Sequence, residues 1–174
     1  MLLPDEPPPC RRLYPDATSA FLLTADHAGR RIPHALGDLG VSEADRQRHI
    51  GWDIGIAGVT EQLALQLDAT AILQTYSRLV IDCNRPPAAP SAFPEVSEAT
   101  PIPGNHGLDD TAKHARMQAI FAPYHSMIAG EIAARNARGQ RTIYIAMHSF
   151  TPSFTATRGR CTPPCCSTAT LAFH

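Results

Sequence analysis

Two histidines, an aspartate and an Asn-Arg pair are the residues whose types and spacing could do chemistry. His27 and His148 each follow an apolar run, residues 20–25 and 142–147, that reads as a buried strand, so each is delivered at a strand tip. Asp53 sits between Gly51 and Gly55, beside the only tryptophan, Trp52. Asn84-Arg85 follow Leu79-Val80-Ile81, which reads as another buried strand ending near Asp82. Pro86-Pro87 then stop it, since proline cannot donate to a ladder and disfavours helix in the residue before it. Ligands bind at the carboxyl ends of strands in open α/β sheets. If these tips share one sheet edge, His27, Asp53 and His148 supply the two-histidine, one-carboxylate set that holds catalytic zinc and leaves a position for water. Such an ion lowers the pKa of its water and polarises a carbonyl, so that an amide is hydrolysed at neutral pH. Arg85 offers a planar fork for a substrate carboxylate, with Arg78 as a second cationic contact. Structural alternatives stand beside this reading: His27 satisfied by backbone at a loop start, and Asp53 as the N-cap of a helix over 54–67.

The elements that must position these groups are legible in part. Residues 1–19 carry Pro4, Pro7, Pro8, Pro9 and Pro15 and read as an extended arm. Ser42 with Asp45 resembles a capping box and predicts a helix start near Glu43. Ile54, Val59, Leu63, Leu65 and Leu67 predict the apolar stripe of the next helix. Ala71-Ile72-Leu73 is a short strand. Residues 86–107, rich in proline, alanine and serine, predict a long irregular loop, either a binding loop or disorder. Asp109 or Asp110 caps a helix running to about Ala137, kinked or split at Pro123. The order predicts an α/β fold, a mixed central sheet flanked by helices.

A chain of 174 residues, 44% hydrophobic and 18% charged, suits one globular domain. A net charge of -1 leaves no footprint for nucleic acid or an anionic membrane, which directs attention to a small-molecule substrate. No apolar run is long enough to span a bilayer and the first residues lack the pattern of a signal peptide, so the expected location is cytoplasmic. Five cysteines, three of them at Cys161, Cys165 and Cys166, make a poor disulfide framework.

Several strings resemble the N-formylglutamate amidohydrolase family, in its order, over about residues 20–153. They are Asp26-His27-Ala28-Gly29 with Ile32-Pro33, Trp52-Asp53-Ile54-Gly55, and Tyr76-Ser77-Arg78-Leu79-Val80-Ile81-Asp82-Cys83-Asn84-Arg85. Further along come Ile102-Pro103-Gly104-Asn105, Pro123-Tyr124-His125, and Met147-His148-Ser149-Phe150-Thr151-Pro152. The resemblance implies a fold similar to zinc carboxypeptidases and aspartoacylases, and hydrolysis of N-formyl-L-glutamate to formate and L-glutamate in histidine degradation. It implies Zn²⁺ on His27 and His148, and a carboxylate anchor at Asn84-Arg85; Asn105, in a shared segment, joins the substrate-binding set. Carboxypeptidases place a glutamate three residues after the first histidine. That position is Arg30 here, so Asp53 takes the role of second ligand.

The chain departs from the pattern after about residue 154. The resemblance implies further strands and a late glutamate acting as general base, and neither is found here, so the general base stays unassigned and the fold is expected to be incomplete at its C-terminus. Residues 155–174 show no period and read as an aberrant, unstructured tail. Read two bases later from Pro164 with GC-rich codons, the tail resembles the family's continuation, which predicts a frameshift near Phe154; DNA sequencing across the junction checks it. The alternative to an enzyme is a truncated, inactive remnant that binds metal or small acidic ligands.

Overall fold

The computed structural model describes residues 1–151. The 155–174 tail, the frameshift and the three late cysteines lie outside the described residues.

A four-stranded sheet carries the molecule. Its strands are β1 (Cys10–Leu13), β2 (Phe21–Ala25), β3 (Thr70–Gln74) and β6 (Ile143–Ala146), in the order β1-β3-β2-β6. β3 and β6 both run parallel to β2, whereas β1 is antiparallel to β3, so the sheet is mixed as expected. Leu22, Leu23, Ile72 and Leu73 are fully buried, which is why β2 and β3 read as near-continuous apolar runs. The remaining pair, β4 (Val96–Ser97) and β5 (Thr100–Pro101), forms a small hairpin.

Ser42 caps α1 (Glu43–Arg46) by accepting from the Asp45 backbone, and Asp109 caps α3 (Asp110–Arg116) in the same way on Ala112. A π-helical turn, Met117–Phe121, joins α3 to α4 (Ala122–Ala137) and puts Pro123 in the first turn of α4, where its missing N–H costs nothing. No described helix is long and apolar enough to cross a membrane.

Four expectations need correction. Residues 79–81 are buried but form a turn, not a strand. Their carbonyls are satisfied by side chains instead of a ladder: the Asn105 amide donates to Leu79 O at 2.8 Å, and the buried Arg116 guanidinium to Val80 O at 3.0 Å. The proline-rich arm contains β1, an edge strand, the position that tolerates neighbouring prolines. The helix over 54–67 is α2 (Ile56–Gln66), capped by Gly55 rather than Asp53, and it buries Ile56, Thr60 and Ala64 while Ile54, Val59 and Leu65 are more than half exposed. Leu63 and Leu67 of the predicted stripe do pack against the core beside Ile56 and Ala64, so the packed face is the stripe shifted by about one position. Residues 86–107 hold two 3₁₀ turns and the β4–β5 hairpin, with Asn105 buried.

Candidate functional site

The carboxyl ends of the parallel strands β2 and β6 converge with two loops. His27 lies two residues beyond β2 and His148 two beyond β6, and because these strands pair in register the rings meet, centroids 5.2 Å apart. The loop with Asp53 is tied beneath them, its backbone N–H donating to His27 O at 2.9 Å. The Ser77 hydroxyl and the Arg78 backbone N–H both donate to Gly51 O, fixing the turn that follows β3. Gly29 is required here, since a Cβ would lie 1.9 Å from the Thr75 carbonyl oxygen.

His27, Asp53 and His148 offer ligand atoms within 4.8 Å of one another. Nδ1 of His148 is 3.0 Å from Asp53 Oδ2, and Nδ1 of His27 is 3.5 Å from Oδ1 of the same carboxylate. His27 Nε2 meets Asp82 Oδ1 at 2.8 Å. An ionised carboxylate only accepts, so Nε2 carries the hydrogen and Nδ1 is left as the ligating atom. That Nδ1 is buried and has no hydrogen-bond partner among the described residues, the arrangement expected of a metal-binding imidazole held by an outer carboxylate. Asp82 also accepts from the Arg78 guanidinium and the Asn84 backbone, each at 2.8 Å.

Electrostatics agree with a cation site. Burial works against ionisation of Asp53, but the His148 hydrogen bond and the His27 ring beside it outweigh burial and hold its pKa well below the carboxylate range. For Asp82, burial is likewise overcome by the His27 hydrogen bond, and its pKa falls to about 2. Burial disfavours charge on His27, yet the Asp53 and Asp82 carboxylates beside its ring raise its pKa. Two ionised carboxylates around two imidazoles therefore favour positive charge at the centre.

Beside the cluster opens a cleft of about 510 Å³ lined by Asp26, Asn84, Arg85, Phe121, His125 and His148. Arg85 is exposed in it, and its guanidinium has no partner among the described residues. The Asn84 amide nitrogen lies 3.5 Å from His148 Nε2.

The site thus brings together His27, Asp53, His148, Arg78, Asn84 and Arg85. Arg78 is held inward, 2.8 Å from Asp82 and 3.6 Å from Asp53, with 28% of its side chain exposed. Asn105 is a correction: it is 1% exposed, borders a different cleft, and its amide is taken up by Leu79 O, Pro94 O and Arg116. Arg30 turns away from the cluster and lies over Trp52. Three contributors were not anticipated: Asp82, which orients His27; Asp26, which accepts from the buried Tyr124 hydroxyl; and His125, which meets Cys83 O at 3.0 Å. All three lie inside the resembling strings, but only the fold shows which atoms they reach.

A family model described as N-formylglutamate amidohydrolase matches residues 19–171. The chain belongs to this family. The match runs past Pro152, where the resembling strings end, and past residue 154, where a departure from the family pattern is expected. The crystal structure of gene product Atu2144 from Agrobacterium tumefaciens is similar at 38% identity and a TM-score of 0.87, covering 88% of this chain. That of N-formylglutamate amidohydrolase from Ralstonia eutropha JMP134 shares the fold at 18% identity and a TM-score of 0.59, over 82% of this chain. The chain spans 61% and 57% of the lengths of these two proteins. No curated protein matches it.

Proposed function

We propose that the chain is a metal-dependent amidohydrolase that converts N-formyl-L-glutamate and water to formate and L-glutamate, with His27, Asp53 and His148 holding Zn²⁺. The observation that carries this reading is the buried, unpartnered Nδ1 of His27 facing Asp53 while Asp82 takes its other nitrogen. When bound, zinc supplies Lewis-acid polarisation of the formyl carbonyl and a nucleophilic water at neutral pH. The chain's own residues supply position. Arg85 and Asn84, at the mouth of the cleft, anchor a substrate carboxylate through charge-assisted hydrogen bonds. Arg78, between Asp53 and Asp82, adds a second cation facing the anionic substrate. Asp82 holds the His27 ring, and the Tyr124 hydroxyl holds Asp26 beside His148.

One observation favours a second reading, a fold that binds ligand but turns over poorly. Each carboxylate of the described site is already engaged: Asp53 by both histidines, Asp82 by His27 and Arg78, Asp26 by Tyr124. No carboxylate of the described site stands without a partner to serve as a dedicated general base, and general-base help is typically worth about 10²- to 10⁴-fold. Formate release from N-formyl-L-glutamate, with and without added Zn²⁺ and repeated on His148→Ala, decides between them. Zinc-stimulated release that His148→Ala abolishes is expected; none above buffer from folded, zinc-loaded protein rejects the enzyme.

A further inference from the structure

Apart from the Arg85 cleft, two adjoining clefts of about 300 and 670 Å³ share Arg30, Arg31, Arg46 and the Glu43 carboxylate. Trp52 and Arg11 line the larger one, and His34 the smaller. The Arg30 guanidinium stacks 5.4 Å from the Trp52 ring centre, while the indole N–H donates to Gln47 O and fixes the ring. Neither Arg30 nor Arg31 makes an ion pair among the described residues. Glu43, whose charge Arg30 does feel, is already held by Arg46 and Gln47. Glu6 is occupied by the backbone N–H groups of Leu3 and His34. The concavity therefore keeps two guanidinium forks without an ion pair beside an aromatic surface, with the Glu43 and Glu6 carboxylates on its lining engaged elsewhere.

We infer that this Arg30–Arg31–Trp52 cleft is a binding site for a small multivalent oxyanion, separate from the substrate cleft. Guanidinium forks bind planar or tetrahedral oxyanions in bidentate fashion, and several converging on one concavity select multiple charge over single charge. The site adjoins the candidate metal cluster. Gly29 and Arg30 continue the His27 loop, Trp52 immediately precedes Asp53, and the His27–Asp53 backbone hydrogen bond joins the two loops.

Trp52, the only tryptophan, is a built-in reporter. Pyrophosphate and citrate are titrated separately into the full chain, with NaCl at matched ionic strength, followed by tryptophan fluorescence and by calorimetry. A saturable signal with pyrophosphate alone assigns a phosphate-bearing ligand, and one with both assigns polyanions generally. Arg31→Ala, which leaves the Arg30–Trp52 stack in place, is expected to weaken binding about 10-fold, the loss of one hydrogen-bonded charge. Arg30→Ala is expected to do the same by calorimetry. Arg138→Ala, on the far helix end, leaves binding unchanged. His148→Ala binds as the parent does, which separates cleft binding from chelation of a bound metal. Signals no larger than those with NaCl, or parent-like binding by both Arg30→Ala and Arg31→Ala, overturn the inference.

Discussion

The two histidines of the candidate metal site follow neighbouring strands yet live in different surroundings. His27 follows the interior strand β2 and is 2% exposed, with one ring nitrogen clamped by Asp82 and that carboxylate clamped in turn by Arg78 and the Asn84 backbone. His148 follows the edge strand β6 with 18% of its side chain exposed; Asp53 holds it at 3.0 Å and Asn84 approaches only to 3.5 Å. One imidazole is built into the core, and the other is set on its rim. A site made this way is buried and clamped on one side and open to the cleft on the other, with Asp53 bridging the halves.

The sharpest break of this asymmetry comes from truncating each histidine. Without His27, buried Asp82 and Asp53 lose a partner, and the metal-free protein is expected to lose ~3 kcal/mol of stability, the low end for a broken buried pair because Arg78 stays on both carboxylates. For His148→Ala the expected loss is about 1 kcal/mol, since its ring is partly solvated. Urea denaturation of chelator-treated protein compares them, and equal losses would erase the distinction. Both variants lose the metal.

On the substrate side, Arg85→Ala is expected to lower kcat/KM about 30-fold with metal content unchanged, the worth of a charge-assisted contact. Arg85→Lys recovers only part, because an ammonium lacks the fork. Steady-state formate assays check this; a loss of metal in Arg85→Ala would make it a structural residue instead. On the metal side, Asp82→Asn is expected to weaken zinc affinity about 10-fold, the lower end for loss of an outer-shell carboxylate. Competition with a chromophoric chelator measures that, and unchanged affinity would remove Asp82 from the account.

The smallest effect concerns Cys83, between Asp82 and exposed Asn84. Its side chain turns into the core, and burial pushes its thiol pKa up to about 12, as it does Cys10 to about 11. Thiolate is therefore scarce at pH 8, and both residues are expected to resist iodoacetamide in native protein while reacting in urea. Peptide mapping by mass spectrometry reads this, and rapid native alkylation of Cys83 would show that the clamped side opens.

Strands β2, β3 and β6 were legible because they are apolar runs of strand length, and the Ser42 and Asp109 caps because an oxygen at that position has one local task. The run 79–81 misled for a physical reason. An apolar triplet shows burial, but whether its carbonyls join a ladder depends on Asn105 and Arg116, far along the chain. The stripe of α2 was half right: Leu63 and Leu67 pack on the core, while Val59 and Leu65 face out because Ile56, Thr60 and Ala64 take the face against the sheet. Both histidines and Asp53 could be named from strand tips and quoted strings. The clamp on His27 could not, because it joins atoms 55 residues apart.

The most direct measurement is the zinc content of purified protein, taken side by side with His27→Ala after dialysis against metal-free buffer. The account predicts one tightly bound ion per chain in the parent and none in the variant. Folded parent without metal after zinc loading, or equal zinc in both proteins, would contradict it.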